Sequence, residues 1–425
     1  MAGPLSLGQL SVWHDIRDLP GPRRHEANNA ALWALPRGTG TEQVRTALRA
    51  VVARHPSLRT RYGLQDPDTP TQLTPDTGFS DALPVVETGD LPPDGFIAGP
   101  VARPFRLGDE HGWRATLLTR AGTASHLLFV KHHIAADAWA QEVLRQEFTT
   151  ALTDPSGTGS TPVPGPAELA ADQRTPAGLR RQSAALGHWH RLLDQAPPAA
   201  LPAATAATGT GVVQVTLRSG PARAAARSVA AAAGVSVSSV VLAAYVRGVA
   251  RICGTDALLV RLMSANRFSA RWKNVVTSMN QWVPALIEGA RGNDLRRLAT
   301  AAHWSSLGAF RHGAHDVTAV AALLARRPGA PEPVCAFNHV ALPEQRPACS
   351  GDPAPVARPP VEADIEPVLV WEEPFTTIGP RCYARSLEGP AELSVRLTAK
   401  DMDRERCAEL LWDMHHALVS TAGAC

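Results

Sequence analysis

The chain has 425 residues, with 42 Lys and Arg against 39 Asp and Glu, a formal net charge of +3. Hydrophobic residues are 44% and charged residues 19%, an ordinary globular balance with enough apolar material for a substantial core. The charge excess is too small to argue for nucleic acid, and no apolar run reaches the 18 or more residues of a membrane span, so neither partner is expected.

In chain order, Leu5 to Asp18 carries a helical apolar pattern and Glu26 to Leu35 reads as a strand. Thr41 is placed to cap a helix running to about Ala53, with Val44, Leu48, Val51 and Val52 inward. Short strands are expected near Leu58–Tyr62, Gln72–Thr74 and Pro84–Glu87. Two longer ones, Trp113–Arg120 and Ser125–Lys131, are joined by a hairpin at Ala121-Gly122-Thr123-Ala124. Ala136 to Leu152 reads as helix. Asp154 to Pro166 reads as an exposed loop, Thr175 to Asp194 as helix, and Ala196 to Gly211 as a join between two lobes. The second half repeats the theme. Strands are expected at Val212–Leu217, Leu258–Met263, Trp282–Ile287, Val334–Val340, Pro367–Trp371, Cys382–Arg385 and Leu393–Leu397. Helices are expected at Pro221–Ala233, Val237–Ile252, Asp294–Leu307, Val317–Ala325 and Met402–Ser420, with a loop over Pro343–Pro360. Length and this alternation suggest two α+β lobes of similar size.

Six Cys occur, at 253, 335, 349, 382, 407 and 425, none paired as CxxC and none beside His at zinc-ligand spacing. No metal site is expected. The N-terminus shows no secretory signal, so reduced thiols and a cytoplasmic location are expected. His415-His416 falls on the last helix, where neighbours diverge by about 100° and cannot chelate one metal together, and is expected on a surface face.

The densest chemistry lies at His132-His133-Ile134-Ala135-Ala136-Asp137-Ala138-Trp139. Two adjacent imidazoles end the strand-like run His126 to Lys131, and a carboxylate follows where a helix should begin. Alternation along a strand sends one imidazole to each face, so one can be fixed in the interior while the other faces a cavity. Imidazole titrates near neutral pH, which suits proton transfer during acyl transfer. The bland alternative is a chance pair of histidines at a strand end.

The octet reads as HHxxxD and resembles the active-site signature of nonribosomal peptide synthetase condensation domains. Other segments resemble that family in the same order. Leu5-Ser6-Leu7-Gly8-Gln9-Leu10-Ser11-Val12-Trp13 is similar to its SxxQxxxW opening, and Arg54-His55-Pro56-Ser57-Leu58-Arg59-Thr60-Arg61-Tyr62 to RHxxLRTxF. His188-Trp189-His190-Arg191-Leu192-Leu193 sits where the family has an aromatic helix. Ser264-Ala265-Asn266-Arg267 resembles its ANR segment, Asn280 occupies the Asn of GxFVNT, and Phe337-Asn338 matches a strand FN pair. Departures are Ala138 for the Gly after the motif's Asp, Ala140 for a Ser, Val276 for the Gly of GxFVNT, and His315-Asp316-Val317 for HQDxPF. No stretch resembles the additional EGHGRE motif of epimerisation domains.

The resemblance implies an α+β fold of two chloramphenicol acetyltransferase-like lobes in a V-shaped pseudo-dimer, with an active-site tunnel at their junction. It places the lobes at about 1–172 and 173–425, with a crossover segment near 364–379. It implies an enzyme of antibiotic or other natural-product biosynthesis that joins a carrier-bound acyl or aminoacyl thioester to an amine or hydroxyl acceptor. The chain would bind no cofactor itself. Its partners would be acyl or peptidyl carrier proteins bearing phosphopantetheine, and a small amine or alcohol could serve as acceptor. His133 would face the tunnel, either as base or by orienting the amine and stabilising charge; the sequence leaves both open. His132 would be structural, Asp137 would pair with Arg267, and Trp139, Asn338 and Trp282 are candidates to line the tunnel or to pack in the core. Arg296-Arg297 and Arg326-Arg327 are solvated charge or a surface for an acidic carrier. No carrier or adenylation motif is seen, which leaves a free-standing enzyme or an excised domain, with Met1 and the lack of a tag favouring the former. Two alternatives are a coenzyme A-dependent acyltransferase of the same superfamily and a non-catalytic carrier-binding recruitment domain.

Overall fold

The computed structural model describes residues 2–75, 83–154, 163–201, 211–292, 294–341, 366–400 and 402–423. The loop expected at Pro343–Pro360 lies outside the described residues, as do most of the two other expected connections and the first two positions of the expected crossover segment. The chain divides into two compact units. One is Met1–Ala184 with Ala265–Gln281 and Ala314–Ala319, and the other is Ala185–Ser264, Trp282–Gly313 and Val320–Cys425. This division is not the single cut near residue 172, because two short excursions from the second half pack with the first unit.

The first unit holds β1 (Gly3–Pro4), α1 (Leu7–Ile16), β2 (Asn28–Ala34), α2 (Thr41–Arg54), β3 (Arg61–Gly63), β4 (Thr71–Leu73), β5 (Val85–Glu87) and α3 (Ala98–Ala102). It continues with β6 (Trp113–Arg120), β7 (Thr123–His132), α4 (Ala138–Thr153), α5 (Pro166–Gln173) and the part of α6 (Pro176–Gln195) up to Ala184. Its main sheet runs β2-β7-β6-β5, and a smaller one runs β1-β4-β3. The turn between β6 and β7 is two residues, Ala121 (φ 51°) and Gly122 (φ 73°), tighter than the expected four. Both in the left-handed region give the twist that two-residue hairpins require. The α2 helix begins at its expected cap: Gly40, one residue earlier, is the extended N-cap and Thr41 is already helical. Short 3₁₀ turns, α3 and α5 were not expected. The last begins with Pro166 in its first turn, where a missing N–H costs nothing.

In this unit α2 and α4 cover one face of the main sheet. Val44, Leu48, Val51, Leu144 and Phe148 pack with Trp33, Leu117, Leu127 and Phe129. Trp33 stacks on Phe129 with centroids 4.7 Å apart, and Trp113 stacks on the same ring at 5.6 Å.

The second unit holds the end of α6, then β8 (Val213–Ser219), α7 (Gly220–Ala233), α8 (Val237–Cys253), β9 (Leu258–Ser264) and β10 (Gln281–Ile287), whose Gln281 belongs to the first unit. It continues with α9 (Leu295–Phe310), α10 (Val317–Ala325), β11 (Cys335–Ala341), β12 (Val368–Glu372), β13 (Cys382–Glu388), β14 (Leu393–Ala399) and α11 (Arg404–Gly423). One seven-stranded sheet runs β10-β9-β11-β13-β14-β8-β12. Its core packs α7, α8, α9 and α11 against Val283, Ala285, Ile287, Phe337, Ala384 and Leu397. Ser219, Ser236 and Asp294 cap α7, α8 and α9 through their side chains, and Gly234 and Gly254 end α7 and α8 in the left-handed conformation. No single helix among the described residues is long and apolar enough to cross a membrane. The apolar α8 is a core helix, buried from Ser239 to Val246.

His415 corrects the surface reading of the last helix: it is buried, with Nδ1 3.3 Å from Ser219 Oγ, and only His416 faces outward. The physical reason is the stripe Cys407, Leu410, Leu411, Met414, His415 and Leu418, which has the spacing of a core-facing helix.

Candidate functional site

The central strand β7 delivers the histidine pair. Its apolar run is buried on both faces: Leu127 and Phe129 point to the core under α2 and α4, and by alternation Lys131 shares that face, while Leu128, Val130 and His132 point the other way. The strand ends at His132. The His132 N–H donates to Gly112 O and the His133 N–H to Ala27 O, both at 2.8 Å. The Ala135 N–H returns to His132 O at 3.0 Å, and Ser57 Oγ donates to Ala135 O at 2.7 Å. The loop that carries the motif is therefore tied down at nearly every residue before α4 begins.

His132 is buried. Its Nδ1 accepts from the Ile134 N–H at 3.1 Å, and its ring meets Phe105 edge-on at 6.2 Å. Burial first, then the neighbouring His133 and Lys131, push its pKa down to about 3. It is neutral, with its proton on Nε2.

His133 keeps partial exposure. Burial first, then the Lys131 charge, push it down to about 4, against an opposing pull from Asp137. Its Nδ1 lies 3.3 Å from Ser278 Oγ, and Ser278 Oγ donates to Asn280 Oδ1 at 3.0 Å. With the hydroxyl hydrogen committed to Asn280, the Ser278 oxygen accepts from His133 Nδ1–H, which leaves Nε2 as the proton-accepting atom.

Asp137 is the N-cap of α4, accepting from the Ala140 N–H at 2.8 Å. Arg267 Nη2 donates to its two oxygens at 2.9 and 3.0 Å, and the Met279 N–H donates to Oδ2 at 3.0 Å. Both ionic side chains are buried. Arg267 also donates to the carbonyls of Lys273, Val275 and Thr277 at 2.8 to 3.0 Å. The loop 265–281 is thereby wound around one guanidinium. Asn266, in the left-handed region at φ 55°, turns the chain into it and donates Nδ2 to Met279 O at 2.9 Å. With every oxygen engaged, Asp137 holds this loop and the start of α4 together and has no free position toward a substrate proton.

The opening helix fixes the other side of that loop. A Cβ on Gly8 would sit 2.2 Å from Ser278 O and 2.5 Å from Met279 Cα, so only glycine lets α1 lie this close to the segment that touches His133 and Asp137. Gln281 clamps the main chain of His315 in both directions, which draws 314–319 into the same unit.

The remaining candidates lie on other elements. Trp139 is 43% exposed on the outer side of the first turn of α4, not in the core. Trp282 and Asn338 belong to the second unit and meet through Tyr383: the Trp282 and Tyr383 rings are edge-to-face at 5.3 Å, and Asn338 Nδ2 lies 3.4 Å from Tyr383 Oη. All three are partly buried on the sheet face opposite the helical core. Among the departures, Val276 and Ala140 are buried in the core of the first unit, and Ala138 is exposed. Four residues at the site escaped the sequence reading: Lys131, Ser278, Met279 through its N–H, and Gly8 in its packing role. The one usable signal was Lys131, a charge inside an apolar run too continuous to have a solvent face. Among the described residues, no group of three or more His, Cys, Asp or Glu is placed to hold a metal.

Residues 21–330 match the family model of the condensation domain. The chain belongs to the condensation-domain family. Over 206 residues it is 30% identical to phosphinothricin tripeptide synthetase PhsC of Streptomyces viridochromogenes, covering 46% of this chain and 19% of that protein. Over 167 residues it is 32% identical to cyclosporin synthetase simA of Tolypocladium inflatum, covering 38% of this chain and 1% of that one. The chain thus spans only a small part of these curated relatives. The SgcC5 protein of Streptomyces globisporus has a solved structure that superposes with a TM-score of 0.75 at 20% identity, covering 99% of both chains. The condensation domain that mediates chain release from the enacyloxin polyketide synthase gives 0.74 at 20% identity, covering 99% of this chain and 82% of that one. At these identities the likeness is one of fold: the expected α+β class and the condensation-domain fold are what the chain adopts. Condensation domains form amide or ester bonds in the assembly of natural products by synthetases of this kind.

Proposed function

We propose that this chain joins a carrier-bound acyl or aminoacyl thioester to an amine or hydroxyl acceptor, with His133 as the proton acceptor. The observation that carries this reading is His133 itself: a neutral imidazole with partial exposure whose Nδ1 is tied to Ser278, in a loop held by hydrogen bonds on both sides of it.

In the proposed reaction the acceptor nitrogen or oxygen attacks the thioester carbonyl carbon. The new C–N or C–O bond forms and the carbonyl becomes a tetrahedral oxyanion. The proton leaving the attacking atom passes to His133 Nε2. Collapse breaks the C–S bond, and the departing thiolate of the phosphopantetheine arm takes that proton from His133 to leave as the thiol. Holding nucleophile and carbonyl together supplies several kcal/mol, and a positioned base contributes roughly 10²- to 10⁴-fold. Trp139, Asn338 and Trp282 are proposed to meet the substrates. Acyl or peptidyl carrier proteins are the proposed partners, and an unattached amine or alcohol is allowed as acceptor.

The test is turnover followed by intact mass. A carrier loaded with candidate acyl thioesters, and the matching coenzyme A thioesters, are offered with carrier-bound and free acceptors to wild type and to His133→Ala. Product from the carrier donor that falls by about 100-fold or more in the variant supports the reading. Equal turnover by the variant removes His133 from the chemistry. A preference for the coenzyme A thioester makes the chain a coenzyme A-dependent acyltransferase, and tight carrier binding without product from any pair makes it a recruitment domain.

A further inference from the structure

Lys131 is the least expected residue near the site. It stands among the largest fully buried side chains of the chain, one residue before the histidine pair. It points to the face of β7 that α4 covers, and its Nζ donates to Ala136 O at 2.6 Å. That bond spans the motif from its first flank to the residue before Asp137, closing a loop over both histidines. The neighbours across the sheet are Asn29 and Trp113, both uncharged. The charged and titratable groups that act on it are Asp137 at the cap of α4, itself paired with Arg267, and the two histidines. Asp137 is one carboxylate for two buried cations, and its oxygens are bonded to Arg267, Ala140 and Met279 rather than to Lys131.

An ammonium here is expensive. It is sealed from water and lies beside a helix N-terminus, where positive charge is disfavoured. Any apolar residue of similar length would fill the space without that cost. A chain that has lysine at such a place uses its charge, and of the two histidines within its field His133 is the partly exposed one.

We propose that Lys131 is a positioning residue of the acyl-transfer site: its buried ammonium ties the histidine loop to the start of α4 and holds His133 in its neutral, proton-accepting form. This rests on the reading of His133 as proton acceptor, but it is testable without substrate. The Lys131 pKa is lowered to about 8 by burial, against Asp137, so its charge is present at neutral pH and can be titrated away.

The experiment is an NMR titration of protein labelled in its histidine rings, with the His133 signal assigned by its loss in His133→Gln. In Lys131→Met, which keeps the length and removes the charge, the His133 midpoint should rise from about 4 by about one unit. In wild type the His133 signal should show a second, smaller inflection near pH 8 as Lys131 loses its proton. An unmoved midpoint together with no inflection overturns the proposal. Should Lys131→Met not fold, the wild-type inflection decides: present, it supports the proposal; absent, it overturns it. In turnover the acid limb of the pH–rate profile should move upward in Lys131→Met, a shift that loss of a purely structural lysine would not produce. A histidine that responds to Lys131 in a protein that makes no product would retain this inference and remove the functional reading instead.

Discussion

Asp137→Ala puts a number on the contact that holds the site together. Three losses follow from the geometry. The α4 N-cap bond to Ala140 disappears, worth about 1 kcal/mol. The Met279 N–H loses its acceptor in a dry place, costing about 1–3 kcal/mol. Arg267 is left buried without its counter-ion, the largest effect, about 3–5 kcal/mol when one partner of a buried pair is removed. The effects overlap because all three report the same loop leaving the start of α4, so we expect a total of about 3–5 kcal/mol and not the sum. Arg267→Met alone should cost a similar amount, and the double variant should cost well under the two together, with a coupling of about 2–3 kcal/mol. Denaturant unfolding of the four proteins gives the cycle. Hydrogen exchange localises it, since amides near Ala140 and Met279 should lose protection by about 100-fold for every 3 kcal/mol of lowered opening energy. A loss near 1 kcal/mol, with no coupling to Arg267, would refute the reasoning and reduce Asp137 to a helix cap.

Two further outcomes follow from the same contacts. His132 and His133 are held neutral, with pKa values near 3 and 4, while the unfolded chain protonates them near 6.5. Above pH 6.5 neither state carries the proton, so nothing changes; below it the unfolded state gains protons first, and stability falls until the folded values are passed. At pH 5 the pair should have lost about 3–4 kcal/mol relative to pH 7.5, and His133→Gln should lose about 1–2 kcal/mol less, measured by urea unfolding at the two pH values. Equal losses in the two proteins would sink the assignment. Gly8→Ala should cost about 1–3 kcal/mol through overpacking against Ser278 and Met279, and should lower turnover by displacing the partner of His133. Unchanged stability with an unshifted His133 signal would show that α1 does not set that segment.

The local chemistry of the motif was legible because it depends on short-range rules. An apolar strand run announced the element that ends at the histidine pair, a carboxylate before an apolar helical run announced an N-cap, and Ser and Gly punctuated the helices of the second unit. The spacing of the last helix also contained the burial of His415; adjacency with His416 drew the reading to the wrong face. The residues that complete the site follow no such rule. Ser278, Asn280 and the Met279 N–H come from a loop more than a hundred residues away. That loop's path is set by three carbonyls gathered on Arg267 and by the close approach of α1 at Gly8.

By itself the sequence determined the class of the protein: an α+β chain of the condensation-domain family with an imidazole pair before a helix cap. Periodicity, capping and motif order are properties of residues near one another along the chain. The tertiary structure alone decided which imidazole is sealed and which is partly open, and which nitrogen of His133 meets Ser278. It alone set a lysine charge beneath them. Proton affinity depends on burial and on charges within a few ångströms, and those distances exist only once remote segments have packed together.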